Sequence, residues 1–97
     1  MILNFRDQVT EDIYNGMRTK ETLRRLPVEL LKIVYRKFYM LDHAVSLHDL
    51  KFPPNNRLEI LKGDRKGQFS IRINDQYRIC FRWTQQGPDS VEIVDYH

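Results

Sequence analysis

The stretch Gln68 to Trp83, QFSIRINDQYRICFRW, leaves the chain few ways to fold. Phe69, Ile71 and Ile73 alternate with Ser70, Arg72 and Asn74, and Tyr77, Ile79, Phe81 and Trp83 alternate with Arg78, Cys80 and Arg82. Period-two alternation gives a strand one apolar and one polar face. Both apolar sets must share a face, because a one-residue slip would turn one of them to solvent. This predicts a hairpin with Ile73 opposite Tyr77, Ile71 opposite Ile79 and Phe69 opposite Phe81, closed by the loop Asn74-Asp75-Gln76. The same register places Arg72 opposite Arg78 on the polar face, with Arg82 near Gln68. Like charges so placed destabilise a sheet. An anion between them would relieve the cost, so this face is expected to bind phosphate.

Ninety-seven residues suffice for one domain with one modest core, here residues 1–97. The net charge of +3 does not by itself imply nucleic acid, but its distribution says more. Between Arg57 and Arg82 seven Lys/Arg face three acids, while the remainder is nearly balanced. Such an excess is the footprint of a phosphate-bearing partner, and equally of a plain solvated face. The single cysteine, Cys80, allows no intrachain disulfide. MILNFRDQ reaches charge at Arg6, too soon for a signal peptide, and no segment approaches the ~20 apolar residues of a membrane span. A cytoplasmic protein with no membrane partner is expected.

Elsewhere the pattern is coarser. Met1 to Phe5 reads as a short strand. Thr10, followed by Glu11 and Asp12, reads as an N-cap for a helix carrying Ile13, Tyr14 and Met17. Residues 18–25 are a basic loop or the lead-in to the next helix. From Pro27 to His43, Leu30, Leu31, Val34, Tyr35, Phe38 and Leu41 form a stripe at period 3.6, with Lys32, Arg36 and Lys37 mainly off it. Residues 44–56 read as a connector in which Pro53-Pro54 excludes regular structure. Leu47, Leu50 and Phe52 should tack it to the core. Arg57 to Leu61 is a strand, KGDRKG a glycine-flanked turn, Thr84 to Ser90 a loop, and Val91 to Tyr96 a last strand. His43 and His48 read as surface or capping residues, and no Cys/His cluster has metal spacing. The expected fold is α+β: two N-terminal helices packed on one face of a mostly antiparallel, curved sheet of four to five strands. The opposite face, carrying Ser70, Arg72, Arg78 and Cys80, is expected to lie open and concave, suited to an extended nucleic-acid strand.

NRLEILKGDRKGQFSIRINDQYRICFRW followed by VEIVDYH resembles the HigB toxins of the RelE/ParE superfamily, also called plasmid-maintenance killer proteins. The match is densest over residues 53–97, and the SLHDL and PP elements before it fit as well. The resemblance implies a RelE-like α+β toxin from a type II toxin–antitoxin system. It implies a ribosome-dependent endoribonuclease that enters the 30S A site and cuts translated mRNA. It also implies a helix-turn-helix antitoxin of HigA type, with operator DNA reached only through that partner. No cofactor and no metal are implied.

Metal-free cleavage by the 2′-hydroxyl needs a base, an acid for the leaving 5′-oxygen, and cations for the phosphoryl charge. By resemblance, Asp95-Tyr96-His97 carries part of the site. His97 is the candidate proton-transfer group, with a frayed tail as the alternative. Asp95 would orient it or act as base, and Tyr96 would stack on a base, donate to phosphate, or simply pack. Arg78 is the first candidate for transition-state stabilisation, since a guanidinium grips phosphate in bidentate fashion, and Lys62 is the second. Some HigB relatives carry a histidine just before the Lys-Gly-Asp turn where this chain has Glu59, which leaves Glu59, Asp95 or His97 as the base. Arg57, Arg65, Lys66, Arg72 and Asn74 are candidates for holding RNA, or are solvated surface residues. Cys80 is read as a small strand residue. The alternatives are a non-catalytic nucleic-acid-binding module and a gyrase-poisoning ParE-like toxin.

Overall fold

A computed structural model of the chain describes residues 1–96. The hairpin takes the expected register. Strands β2 (Phe69–Arg72) and β3 (Tyr77–Thr84) run antiparallel with Phe69 paired to Phe81, Ile71 to Ile79 and Arg72 to Arg78. Here β2 follows β1 (Glu59–Ile60), and β4 (Gly87–Asp95) follows β3. The amide of Ile73 donates to the carbonyl of Tyr77 at 2.9 Å. Asn74 stabilises the turn by accepting from the amides of Gln76 and Tyr77, as turn asparagines do.

The sheet is fully antiparallel, in the order β1-β2-β3-β4. The expected loop over Thr84 to Ser90 is shorter than that. The strands continue to Thr84 and resume at Gly87, leaving Gln85 and Gln86 as the turn. Thr84 closes it by donating from its hydroxyl to the Gly87 carbonyl at 2.8 Å. Opposite Phe81, β4 carries an extra residue, and Ser90 sits at φ 52°. This bulge bends β4. The expected strand at Met1 to Phe5 shrinks to one parallel bridge, Phe5 to Val91. At the bulge the Asn4 side chain accepts from the Ser90 amide at 2.7 Å, between backbone bonds from Leu3 to Pro88 and from Arg6 to Val91.

Helices α1 (Gln8–Tyr14) and α3 (Leu31–His43) pack on the apolar face, and the short α2 (Lys20–Arg25) packs against α1. Asp7, not Thr10, caps α1, its carboxylate accepting from the Thr10 amide at 2.7 Å. Thr10 is drawn into the core, where its hydroxyl accepts from the buried Ile93 amide at 3.1 Å. The short helix α2 forms inside the basic stretch through a capping box between Thr19 and Thr22. Helix α3 follows a 3₁₀ turn at Val28–Leu30 and buries Leu31, Val34, Phe38 and Leu41. These side chains meet Ile13, Leu26, Ile71, Ile73, Tyr77, Ile79, Phe81, Val91 and Ile93 in one core. Tyr35 is exposed despite its place in the stripe, and Lys37 is buried despite lying off it. The ammonium of Lys37 donates to Asn56 Oδ1 at 2.5 Å, which is what lets a cation enter there.

The connector also departs from expectation. It contains two 3₁₀ turns, Leu47–Lys51 and Pro54–Asn56. Proline is tolerated at the start of a turn that needs no amide from it. Leu50 anchors the segment, whereas Phe52 is 61% exposed. The fully buried Asn56 does the rest, donating to the carbonyls of Leu50 and Phe52 at 3.2 Å each.

Candidate nucleic-acid interface

The polar face of the sheet is not the open surface expected of it. Ser70 and Cys80 are fully buried and Arg78 is 8% exposed. Burial pushes the Cys80 thiol up to about 11, so it is a packed strand residue and no nucleophile at neutral pH. Part of the cover comes from Arg65, whose Nη1 donates to Gln68 and Glu92 at 3.1 Å each. Another part comes from the carbonyl of Arg57, which accepts from Nη2 of Arg78 at 2.5 Å. What stays open is a pocket of about 210 Å³ at the hairpin end. Arg57, Glu59, Arg72, Asn74, Asp75, Arg78 and Tyr96 line it.

Each element delivers its residue for a local reason. Arg57 follows the Pro54–Asn56 turn in the left-handed conformation, φ 45° and ψ 57°. That reverses the chain so that its carbonyl points to Arg78 while its side chain reaches the pocket rim. Glu59 lies on the edge strand β1, paired with Ser70, and its carboxylate stands 3.7 Å from Nη1 of Arg78. Arg72 and Arg78 face each other across the β2–β3 ladder. Their repulsion is relieved within the chain: Arg72 is paired with Asp75, and Arg78 has Glu59 and two carbonyls. An external anion is therefore not needed to hold this pair together, contrary to the argument from register alone. Tyr96 comes off the end of β4 with its amide donating to the Gln76 carbonyl at 2.6 Å.

The guanidinium of Arg78 is more constrained than a bidentate phosphate clamp would be. Nε donates to Ser70 Oγ at 2.7 Å, and Nη2 donates to the carbonyls of Ser70 and Arg57. The edge that remains is Nη1, on the side of Glu59. A phosphate would meet that one nitrogen and displace or share the carboxylate.

Six sequence-derived candidates thus converge: Arg57, Glu59, Arg72, Asn74, Arg78 and Tyr96. Asn74 brings a side-chain oxygen already committed to the turn. Asp95 pairs with Tyr77 in the ladder, so its side chain leaves β4 on the apolar side of the sheet, where it accepts from Gln76 Nε2 at 3.1 Å. Lys62 and Lys66 are exposed around the Gly63–Arg65 turn, outside the pocket lining. Arg65 is held by Glu92. His97 lies outside the described residues. Two participants escaped the sequence reading. Asp75 was legible as a carboxylate three residues after Arg72, whereas Ser70 looked like any polar strand position.

Comparison with known proteins bears on the family and the fold. A family model described as the RelE-like toxin of type II toxin–antitoxin system HigB matches residues 3–97. Toxin HigB-1 of Vibrio cholerae serotype O1 is 40% identical over 83 residues, covering 86% of this chain and 84% of the relative. An uncharacterised protein of Haemophilus influenzae is 32% identical over 80 residues, covering 82% of this chain and 76% of the relative. Among solved structures, the YoeB–YefM complex from Staphylococcus aureus superimposes with a TM-score of 0.62 at 18% identity, over 100% of this chain and 95% of that one. The YoeB/ParE toxin from Agrobacterium tumefaciens gives 0.53 at 19%, over 99% and 97%. These two likenesses speak for the fold.

Proposed function

The chain belongs to the HigB-like toxins of type II toxin–antitoxin systems, and from that premise we propose that it is a metal-independent endoribonuclease that cuts mRNA in the ribosomal A site. The observation that carries the reading is the convergence of Arg57, Arg72 and Arg78 with Glu59 and Tyr96 on one pocket. Three guanidinium groups around a small concavity suit a phosphodiester, because cations fixed in advance stabilise phosphoryl charge without reorganising. A helix-turn-helix antitoxin of HigA type is the proposed partner, with operator DNA reached only through it. The cytoplasm is where translating ribosomes would be met.

In this reading the ribose 2′-oxygen attacks the adjacent phosphorus. The new 2′-O–P bond forms as the P–O5′ bond breaks, leaving a 2′,3′-cyclic phosphate and a 5′-hydroxyl. The 2′-OH proton goes to a base, and O5′ takes a proton from an acid. Arg78 stabilises the phosphoryl oxygens through Nη1. Glu59 sits beside that nitrogen, half exposed to the pocket, and serves as the base. His97 supplies the leaving-group proton, and Asp95, which leaves β4 on the other side of the sheet, is given no catalytic role. Tyr96 offers its ring to a neighbouring base. Arg57 and Arg72 hold flanking phosphates, while the exposed Lys62 and Lys66 extend a basic track toward ribosomal or messenger RNA.

Induction of the wild type should arrest growth and shorten transcripts, and Arg78→Ala or His97→Ala should abolish both under conditions where urea titration shows each variant to be folded. Growth arrest that survives both changes refutes the assignment of chemistry to this pocket. DNA breaks with an SOS response, in place of shortened transcripts, would mark a gyrase poison.

A further inference from the structure

Arg78 is tied down by groups that no other role accounts for. Its Nε donates to Ser70 Oγ at 2.7 Å, and its Nη2 donates to the Arg57 carbonyl at 2.5 Å and the Ser70 carbonyl at 3.3 Å. Ser70 is fully buried, so its hydroxyl is not a surface polar group exchanging with solvent. Arg57 holds a left-handed backbone, uncommon for a residue with a Cβ, and its carbonyl closes the other side of the cradle. A free arginine side chain samples many rotamers. With Nε and Nη2 both engaged, the plane of this guanidinium is set, and Nη1 is the edge presented beside Glu59 in the pocket.

We infer that Ser70 is a positioning residue: its hydroxyl, together with the Arg57 carbonyl, fixes the Arg78 guanidinium so that Nη1 meets the scissile phosphate. This rests on the ribonuclease reading above and adds to it a group that never touches RNA. Ser70 acts only through Arg78.

The test compares wild type, Ser70→Ala, Ser70→Cys, Arg78→Lys and the double variant Ser70→Ala/Arg78→Lys in cleavage of mRNA on programmed ribosomes. Urea midpoints establish that each is folded. Ser70→Ala should lower kcat by about 10- to 100-fold, the scale of a charge-assisted hydrogen bond or a misplacement of about 1 Å. KM should stay close to that of wild type, because the cationic charge remains. Ser70→Cys, which keeps the side-chain shape and a weak acceptor, should fall between the two and serves if the alanine variant does not fold. In the Arg78→Lys background, which has no Nε–H to orient, Ser70→Ala should cost less than about twofold more, since coupled residues are not additive. Wild-type kcat in both Ser70 variants, or an equal loss in both backgrounds, overturns the inference while leaving the ribonuclease reading intact. A wild-type protein that cuts no RNA overturns both.

Discussion

Replacing Arg78 by lysine keeps the charge and removes the geometry. The guanidinium makes three hydrogen bonds, to Ser70 Oγ, the Ser70 carbonyl and the Arg57 carbonyl, at a site only 8% exposed. A lysine ammonium reaching the same depth can serve one or two of these acceptors. With hydrogen bonds to charged groups worth about 1.5–3 kcal/mol each, the expected loss of stability is about 2–4 kcal/mol. At a urea m-value of about 2 kcal/mol per molar, the midpoint should fall by about 1–2 M. That is a large share of the about 5–15 kcal/mol that holds a domain together, so activity must be measured where the variant is still folded. There, cleavage on programmed ribosomes should drop by about 100-fold, as expected when a cation is present but misplaced. Urea unfolding followed by circular dichroism reads the first quantity, and primer extension on ribosome-bound mRNA reads the second. A variant with the wild-type midpoint and wild-type cleavage would refute the view that this arginine is locked, and locked for a purpose.

Thr10→Val should cost about 1–3 kcal/mol, because the buried Ile93 amide loses its acceptor, and Thr10→Ser should cost much less; paired urea titrations distinguish them. Gly87→Ala should destabilise by about 1–3 kcal/mol, since a Cβ there would stand 2.4 Å from the Met1 carbonyl oxygen at φ +135°; thermal unfolding checks it. Asp7 predicts a pH effect. Burial alone would raise its carboxyl, but the Thr10 amide and Arg25 outweigh this and hold it below the ordinary 3.8. The unfolded chain therefore binds this proton more readily. The stabilisation is full above about pH 4 and is lost as the pH falls through the folded value. Asp7→Asn should lower the urea midpoint at pH 7 and flatten its fall in acid.

The hairpin was legible because alternation, shared facing and turn length all demand one register, and Phe69–Phe81, Ile71–Ile79 and Arg72–Arg78 pair accordingly. The stripe of α3 was legible for the same kind of reason. Local signals failed where distant groups competed for them. Asp7 and Thr10 are both good caps three residues apart, and the buried Ile93 amide decides which is free to act as one. The connector looked structureless because the prolines are visible and the partners of Asn56, contributed by Leu50, Phe52 and Lys37, are not. In the pocket, the basic residues could be named from composition and resemblance, and Arg57, Arg72 and Arg78 do converge. The diversion of Arg65 to Glu92 could not be read, because it depends on a strand 27 residues away. Nor could the burial of Ser70, whose place depends on the segment around Arg57 folding back over the sheet.

The chemistry at the pocket can be read directly from the ends of the cut RNA. Purified protein should be added to ribosomes stalled with a defined mRNA codon in the A site, and the RNA ends then analysed. The prediction is a cut within that codon, leaving a 2′,3′-cyclic phosphate and a 5′-hydroxyl, that disappears with Arg78→Ala. Intact mRNA with the wild-type protein, or the same cut with Arg78→Ala, would contradict it.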